Sequence, residues 1–187
     1  MRTRWIYFVA AGALTVAAML SAGQRPALQP IRYTSEGGLA LPDYRKWVFL
    51  SSGLGMTYTG EAAKNPPFTN VFAEPSAYDA FMKDGVWPNK TVLVAEMRAS
   101  ETGVSINKNG FVQTPKVIAI EVEVKDAAKG GWAFYGFESG AQTGKLFPKT
   151  AACYSCHEQH AAVDNTFVQF YPTLIETAKK KGTYKEN

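Results

Sequence analysis

The chain has 187 residues, of which 46% are apolar and 13% aromatic, and its formal net charge is +4. This length predicts one compact domain, and the apolar content suffices for a hydrophobic core, which excludes a disordered chain. Without Arg2 and Arg4, which lie in a leader-like segment, the charge falls to +2, so we expect no nucleic acid and no anionic membrane as a partner.

The first 23 residues have the layout of an export signal. Arg2 and Arg4 precede an apolar run from Trp5 to Leu20, and small residues follow it. The alternative is an uncleaved membrane anchor, but a run of sixteen residues is short because a span needs about 20. Both arrangements place the folded part outside the cytoplasm, so we expect a periplasmic protein.

The first half of the remaining chain mixes loop and helix signals. Residues 24–40 contain proline, glycine and polar residues and predict an irregular leader, whereas residues 41–187 are expected to form the folded domain. LPDYRKWVFL (41–50) predicts a short helix, and residues 51–67 predict a loop. PFTNVF predicts a strand, and EPSAYDAFMKDG predicts a helix that ends at Gly85.

Strand patterns dominate after residue 90. The predicted strands are TVLVAEMRA, KVIAIEVEVKD and GGWAFYGFE. Apolar and other residues alternate in IAIEVEV, which predicts a strand with two different faces. One face carries Ile118, Ile120, Val122 and Val124, and the other face carries Ala119, Glu121 and Glu123. Turn signals separate the runs, and two further helices are expected, one at the cysteines and one from about Pro172 to Lys181. The predicted class is α+β, a mainly antiparallel sheet with flanking helices.

The segment CYSCHEQH (153–160), near the carboxyl end, contains both cysteines and both histidines of the chain. Cys153-x-x-Cys156-His157 is the pattern for covalent haem attachment. Two thiols about one helical turn apart can add to the two vinyl groups of a porphyrin edge, and the adjacent histidine can bind the iron. We therefore predict one covalent haem c, with Cys153 and Cys156 as attachment points and His157 as the ligand of the iron.

Three other interpretations of the cluster remain open. A disulfide between Cys153 and Cys156 would leave His157 unexplained. A thioredoxin-like redox pair normally follows the first strand of a βαβ unit, which is not predicted here. A zinc site would need these three residues and His160 as ligands, which are too crowded for the usual two-pair geometry.

The second axial position of the iron has no obvious ligand in the sequence. His160 is tied to the same helix as His157, and Met56, Met82 and Met97 all precede the motif. We therefore predict five-coordinate iron with an open position for a small ligand. The helical cytochromes c-prime also have such a site, but the strand-rich middle of this chain does not suit a four-helix bundle.

Seven segments resemble, in order from residue 41 to about 175, the cytochrome P-460 superfamily: LPDYRKWVFL, PPFTNVF, EPSAYDAFMKDG, WPNKTVLVAEM, IEVEVKDA, GGWAFYGF and CYSCHEQHAAVDNTFVQFYPTL. That superfamily contains the hydroxylamine-oxidising cytochromes P-460 and the nitric-oxide-binding cytochromes c-prime-beta. The resemblance implies a mostly antiparallel β fold with flanking helices, a homodimer, and a high-spin haem with His157 as its only protein ligand.

The resemblance also suggests residues for the other side of the haem. Phe68 matches a phenylalanine that packs over the iron site, although alone it reads equally well as core. Glu121 aligns with a carboxylate that some hydroxylamine-oxidising members place in the pocket, although alternation alone favours a solvent-facing residue. Ala95 stands where those members bond a lysine to the haem edge, and alanine cannot form that bond. Four aromatic residues suit a haem-pocket wall or an ordinary core: Trp132, Phe134, Phe167 and Phe170.

Two functions follow. The first is an exported monohaem cytochrome that binds or oxidises nitric oxide or hydroxylamine, with Glu121 as acid or base and a soluble electron-transfer cytochrome as partner. The second, favoured by Ala95, is a gas-binding or electron-transfer protein without turnover. A thiol–disulfide protein without haem is a third alternative.

Overall fold

The computed structural model describes residues 28–58, 60–61 and 63–186. The predicted export signal (1–23) and residues 24–27 of the predicted leader lie outside this part of the chain. Within it, the helices are all too short or too polar to cross a membrane.

The described residues form a seven-stranded antiparallel sheet with helices packed against it, which confirms the predicted α+β class. The strands are β1 (Leu39–Ala40), β2 (Val48–Leu54), β3 (Phe68–Ala73), β4 (Val92–Glu101), β5 (Val112–Asp126), β6 (Gly131–Glu138) and β7 (Thr143–Leu146). The α-helices are α1 (Pro75–Asp84), α2 (Ala152–His160) and α3 (Pro172–Lys181). The spatial strand order is β1-β7-β6-β5-β4-β3-β2, so the long strand β5 lies near the middle.

Helix α1 forms where its capping residues predict it. The Glu74 carboxylate accepts a hydrogen bond of 2.9 Å from the Ala77 N–H at the first turn. Gly85 ends the helix with φ of 74°, a conformation that glycine adopts without steric cost. Helix α3 also begins and ends at the predicted residues.

The predicted helix over LPDYRKWVFL is wrong. Only Tyr44–Lys46 form a single 3-10 turn, and Val48 already begins β2, which extends to Leu54 into the predicted loop. Val48, Phe49 and Leu50 favour a strand, and pairing with β3 satisfies their backbone groups. The short strands β1 and β7 were not predicted; β1 falls at the end of the predicted leader.

The sheet separates two hydrophobic cores. Val122 and Val124 of β5 point to the face that the segment from Ile31 to Trp47 covers. Glu121 and Glu123 point to the other face, which packs against the three α-helices. The predicted alternation is therefore confirmed except at Ile118, which lies at a register shift between β4 and β5 and is 44% exposed.

Candidate functional site

The two cysteines and His157 lie on α2, which confirms the helix predicted at the cluster. Cys153 and Cys156 are free thiols and partly buried, and their spacing of three residues places them on one side of the helix. The described residues contain no group of three or more His, Cys, Asp or Glu side chains arranged to hold a metal ion. The pair is thus present as two thiols, without a disulfide between them.

The ring of His157 is held in one orientation. Its Nδ1 lies 2.8 Å from the carbonyl oxygen of Asn165, which can only accept, so Nδ1 carries the proton. The ring lies between Phe134 and Phe167, with centroid distances of 4.5 and 4.4 Å. Burial lowers the pKa of His157, although the hydrogen bond to Asn165 acts in the opposite direction. His157 is therefore a neutral imidazole at pH 7 whose unprotonated Nε2 can bind a metal.

Glu123 lies on the Nε2 side of this ring. Its Oε1 is 3.8 Å from Nε2, and its Oε2 is buried without a hydrogen-bond partner among the described residues. Burial, together with the charge of Glu121, raises the pKa of Glu123 to about 8. With both groups neutral at pH 7, the contact is not an ion pair. A buried polar oxygen without a partner beside a free ring nitrogen fits a site that a further metal-bearing group completes.

Strand register brings the other predicted residues to this face. Ala95 of β4 is paired with Glu121 of β5, and Leu93 is paired with Glu123. Because paired residues in antiparallel strands share a face, Ala95, Glu121 and Glu123 all lie on the side that carries α2. Glu121 is exposed there, whereas Glu123 is largely buried.

The model of the family Cytochrome P460 matches residues 41–168, more than half of the chain and including Cys153, Cys156 and His157. This chain is a member of the cytochrome P460 family. Among curated proteins no match was found. Membership implies haem c with iron as the cofactor, and the free thiols, the oriented His157 and the unpaired Glu123 oxygen fit that group.

Phe68 is the predicted site residue that the structure separates from the others. It pairs with Arg98 of β4. Along β3, the side chains of Thr69 and Val71 point to one face of the sheet, and that of Phe68 points to the other. Val71 packs on the core that faces α2, whereas Phe72 packs on the opposite core. Alternation therefore places Phe68 on the face away from Ala95 and Glu121.

The predicted aromatic wall of this cytochrome P460 domain is partly assembled. Phe134 and Phe167 contact the ring of His157, and Phe170 packs against Phe167 at 5.9 Å. Trp132 is buried in the same core but acts differently, since its Nε1 donates to Asp164 at 3.4 Å.

Sequence reasoning missed two groups that lie beside the His157 ring, namely Glu123 and the Asn165 carbonyl. Glu123 shares the strand face of Glu121, so alternation places both there, but only the packed structure shows which carboxyl is buried. The Asn165 carbonyl belongs to the backbone and has no side-chain signature. The Asp164-Asn165 dipeptide was the available signal, because both residues favour tight turns.

Proposed function

We propose that the protein is an exported, periplasmic monohaem cytochrome, with Cys153 and Cys156 as thioether attachment points and His157 as the axial ligand. The observation that carries the proposal is the His157 ring, which donates from Nδ1 to Asn165 and directs Nε2 toward Glu123. Family membership supports the haem, and the position of both thiols on one side of α2 supports covalent attachment.

The proposed iron is five-coordinate and takes a small nitrogen species. Both histidines of the chain lie on α2, and Glu123 lies beside His157 Nε2, with Glu121 and Ala95 on the same face of the sheet. When bound, the haem supplies an open coordination position for nitric oxide or hydroxylamine and exchanges electrons with it. A second histidine or methionine ligand is not needed in this arrangement.

The two carboxyl groups of β5 have different roles in the proposed oxidation of hydroxylamine. Glu123, largely buried and directed toward Nε2 of His157, is protonated at pH 7, so it passes its own proton to Glu121 before it accepts one from the substrate. Glu121, exposed two residues earlier on the same face, passes protons to solvent. The electrons leave to a soluble electron-transfer cytochrome, and a homodimer is the expected assembly.

A non-catalytic gas-binding or electron-transfer cytochrome is the second candidate. The observation that favours it is Ala95, whose methyl group lies beside Glu121 and cannot form a covalent bond to the haem edge. The ferrous absorption spectrum separates the two candidates. A strongly red-shifted band would indicate an additional bond to the haem edge, and an ordinary high-spin c-type band would indicate none.

Production in a host that attaches haem c tests the attachment residues. We expect the intact mass to show one haem and a cleaved leader, and Cys153→Ala and Cys156→Ala each to lose one thioether bond. His157→Ala should lose the axial ligand, which the ferrous absorption spectrum measures. Ser155→Ala, on the same helix, is the control and should retain the wild-type spectrum.

Two results with the wild-type protein would contradict the proposal. A colourless, correctly exported wild-type protein would refute the proposed function, and a low-spin six-coordinate ferric spectrum would refute the open coordination position of the iron.

A further inference from the structure

The Asn165 carbonyl oxygen, which accepts the hydrogen bond from His157 Nδ1, belongs to a tight turn formed by residues 163–166. Val163 and Thr166 form an isolated antiparallel bridge, and between them Asp164 and Asn165 have φ of 47° and 58°. Positive φ is strained for residues with a side chain, although Asp and Asn tolerate it better than most. Asp and Asn are common at two successive positions of positive φ in tight turns, and two contacts from outside the four residues also hold this turn.

The first external contact is an ion pair to Asp164. Lys125 Nζ lies 2.6 Å from Asp164 Oδ2, and Trp132 Nε1 donates to Oδ1 of the same carboxylate at 3.4 Å. The side chains of Lys125 and Asp164 are only 25% and 27% exposed, so solvent screens this pair less than a surface pair. Both oxygens of Asp164 are thereby directed by residues of the sheet.

The second external contact reaches the other end of the turn. The buried Trp87 donates from Nε1 to Thr166 Oγ1 at 2.8 Å, and Thr166 Oγ1 donates to the Val163 carbonyl at 2.7 Å. Lys125 Nζ also donates to the Trp87 carbonyl at 2.7 Å. Lys125 therefore connects both contacts that support the turn.

Lys125 and Glu123 are alternate residues of β5 and share one face of the sheet. Glu123 lies beside Nε2 of His157, and Lys125 acts behind Nδ1 through Asp164 and the Asn165 carbonyl. One strand thus controls the surroundings of both ring nitrogens.

We propose that Lys125 and Asp164 are positioning residues that hold the Asn165 carbonyl against His157 Nδ1 and thereby set the strength of His157 as an axial ligand. The inference rests on the proposed function, because it requires His157 to bind the iron. A hydrogen bond from Nδ1 to an acceptor makes Nε2 a stronger electron donor, and a stronger donor favours ferric iron. Loss of the ion pair therefore raises the reduction potential of the haem.

The test compares the holoproteins Lys125→Leu, Asp164→Asn and Lys125→Arg by spectroelectrochemical titration and by the iron–histidine stretching frequency of the ferrous form. Asn at 164 keeps the turn preference but removes the charge. At the wild-type midpoint potential, we expect the ratio of reduced to oxidised protein to rise severalfold in Lys125→Leu and Asp164→Asn, up to about tenfold, with a lower stretching frequency. Lys125→Arg should remain close to wild type, because it keeps the charge opposite Asp164.

Lys90→Leu is the matched control. Lys90 forms a similar ion pair, 2.5 Å long, with Asp126 on the other face of β5, so Lys90→Leu removes the same single positive charge as Lys125→Leu, on the face away from His157. Unchanged potential and frequency in both Lys125→Leu and Asp164→Asn, or an equal shift in Lys90→Leu, would overturn the positioning role alone. If Lys125→Leu does not yield holoprotein, the contrast between Asp164→Asn and Lys125→Arg decides in the same way. A wild-type ferrous protein without an iron–histidine stretch would refute the proposed function, and this inference with it.

Discussion

At the scale of single residues, the chemistry of the proposed site depends on which of two carboxyl groups faces Nε2 of His157. Glu121 and Glu123 lie two residues apart on the same face of β5, and burial raises the pKa of both carboxyls. Glu123 is the less exposed of the two and lies 3.8 Å from His157 Nε2. A carboxyl group that exchanges protons with a bound ligand must be within reach of it, and an exposed group competes with water. The structure therefore favours Glu123 as the acid or base and Glu121 as its link to solvent.

Substitution of each carboxyl tests this assignment. In hydroxylamine oxidation with an artificial electron acceptor, we expect Glu123→Gln to lower kcat by roughly 10²–10⁴-fold, the usual contribution of a general base. Glu121→Gln should have a smaller effect, because solvent can replace an exposed relay. Nitric oxide binding should be retained in both variants, and Glu138→Gln, an exposed carboxyl on β6, is the control. A larger loss in Glu121→Gln than in Glu123→Gln would reverse the assignment.

The residues predicted from sequence differ in how local their signal is. Cys153, Cys156 and His157 were assigned from a motif because the chemistry of haem attachment fixes their spacing within one helical turn. Glu123 was not separated from Glu121, since burial depends on how β5 packs against α2, which is more than 25 residues away in sequence. Phe68 was assigned by resemblance alone, and the register of β3 places it on the other face.

At the scale of secondary-structure elements, local signals predicted α1, α2 and α3 but also a helix over residues 41–50 that does not form. The caps of α1 and the limits of α3 follow from Glu74, Gly85 and Pro172, which act within one turn. LPDYRKWVFL was assigned to a helix because Pro42 and Asp43 suit a first turn, but pairing with β3 makes the second half a strand. Such long-range pairing overrides local propensity.

The carboxyl end of β5 shows how one buried charge connects separate segments. Asp126 accepts hydrogen bonds from Lys90 at 2.5 Å and from Tyr33 at 2.8 Å, so it joins the start of the β4 region to the segment before β1. The hydrogen bond from Lys90, followed by that from Tyr33, holds the pKa of Asp126 below its usual range, although burial opposes this. A group with a lowered pKa stabilises the fold above its ordinary pKa, and that stabilisation is lost as the pH falls through the folded-state pKa.

Asp126→Asn is therefore expected to destabilise the protein in a pH-dependent way. At pH 7 the free energy of unfolding should fall by about 1–3 kcal/mol, because Lys90 loses its charged partner. The difference from wild type should shrink as the pH falls below about 4, because the carboxyl then takes up a proton in the unfolded chain while the folded-state pKa lies lower. Urea unfolding at a series of pH values measures this. Asp79→Asn, at an exposed position of α1, is the control, and a deficit that stays constant down to pH 2 would contradict the linkage.

At the scale of the whole molecule, the sheet separates two hydrophobic cores, one on each of its faces. One face carries His157, Glu123 and the aromatic residues around them, and the other carries a separate core closed by the segment from Ile31 to Trp47. Neighbouring residues of β5 and β6 therefore contribute to different cores. Val122 is fully buried on the face away from α2, whereas Phe134 lies 4.5 Å from the ring of His157.

Because the two cores are separate, we predict that the stability of the fold and the properties of the haem can be changed independently. Val122→Ala and Phe134→Leu should each lower the free energy of unfolding by about 1–3 kcal/mol, because both remove buried apolar atoms and leave a cavity. Only Phe134→Leu should also change the absorption spectrum and potential of the haem, since Phe134 contacts the proposed axial ligand whereas Val122 is screened from it by the sheet. Urea unfolding and spectroelectrochemistry of the two holoproteins measure both properties. If Val122→Ala shifted the haem spectrum as much as Phe134→Leu, the sheet would transmit changes between its faces, and the far core would have to be counted as part of the haem site.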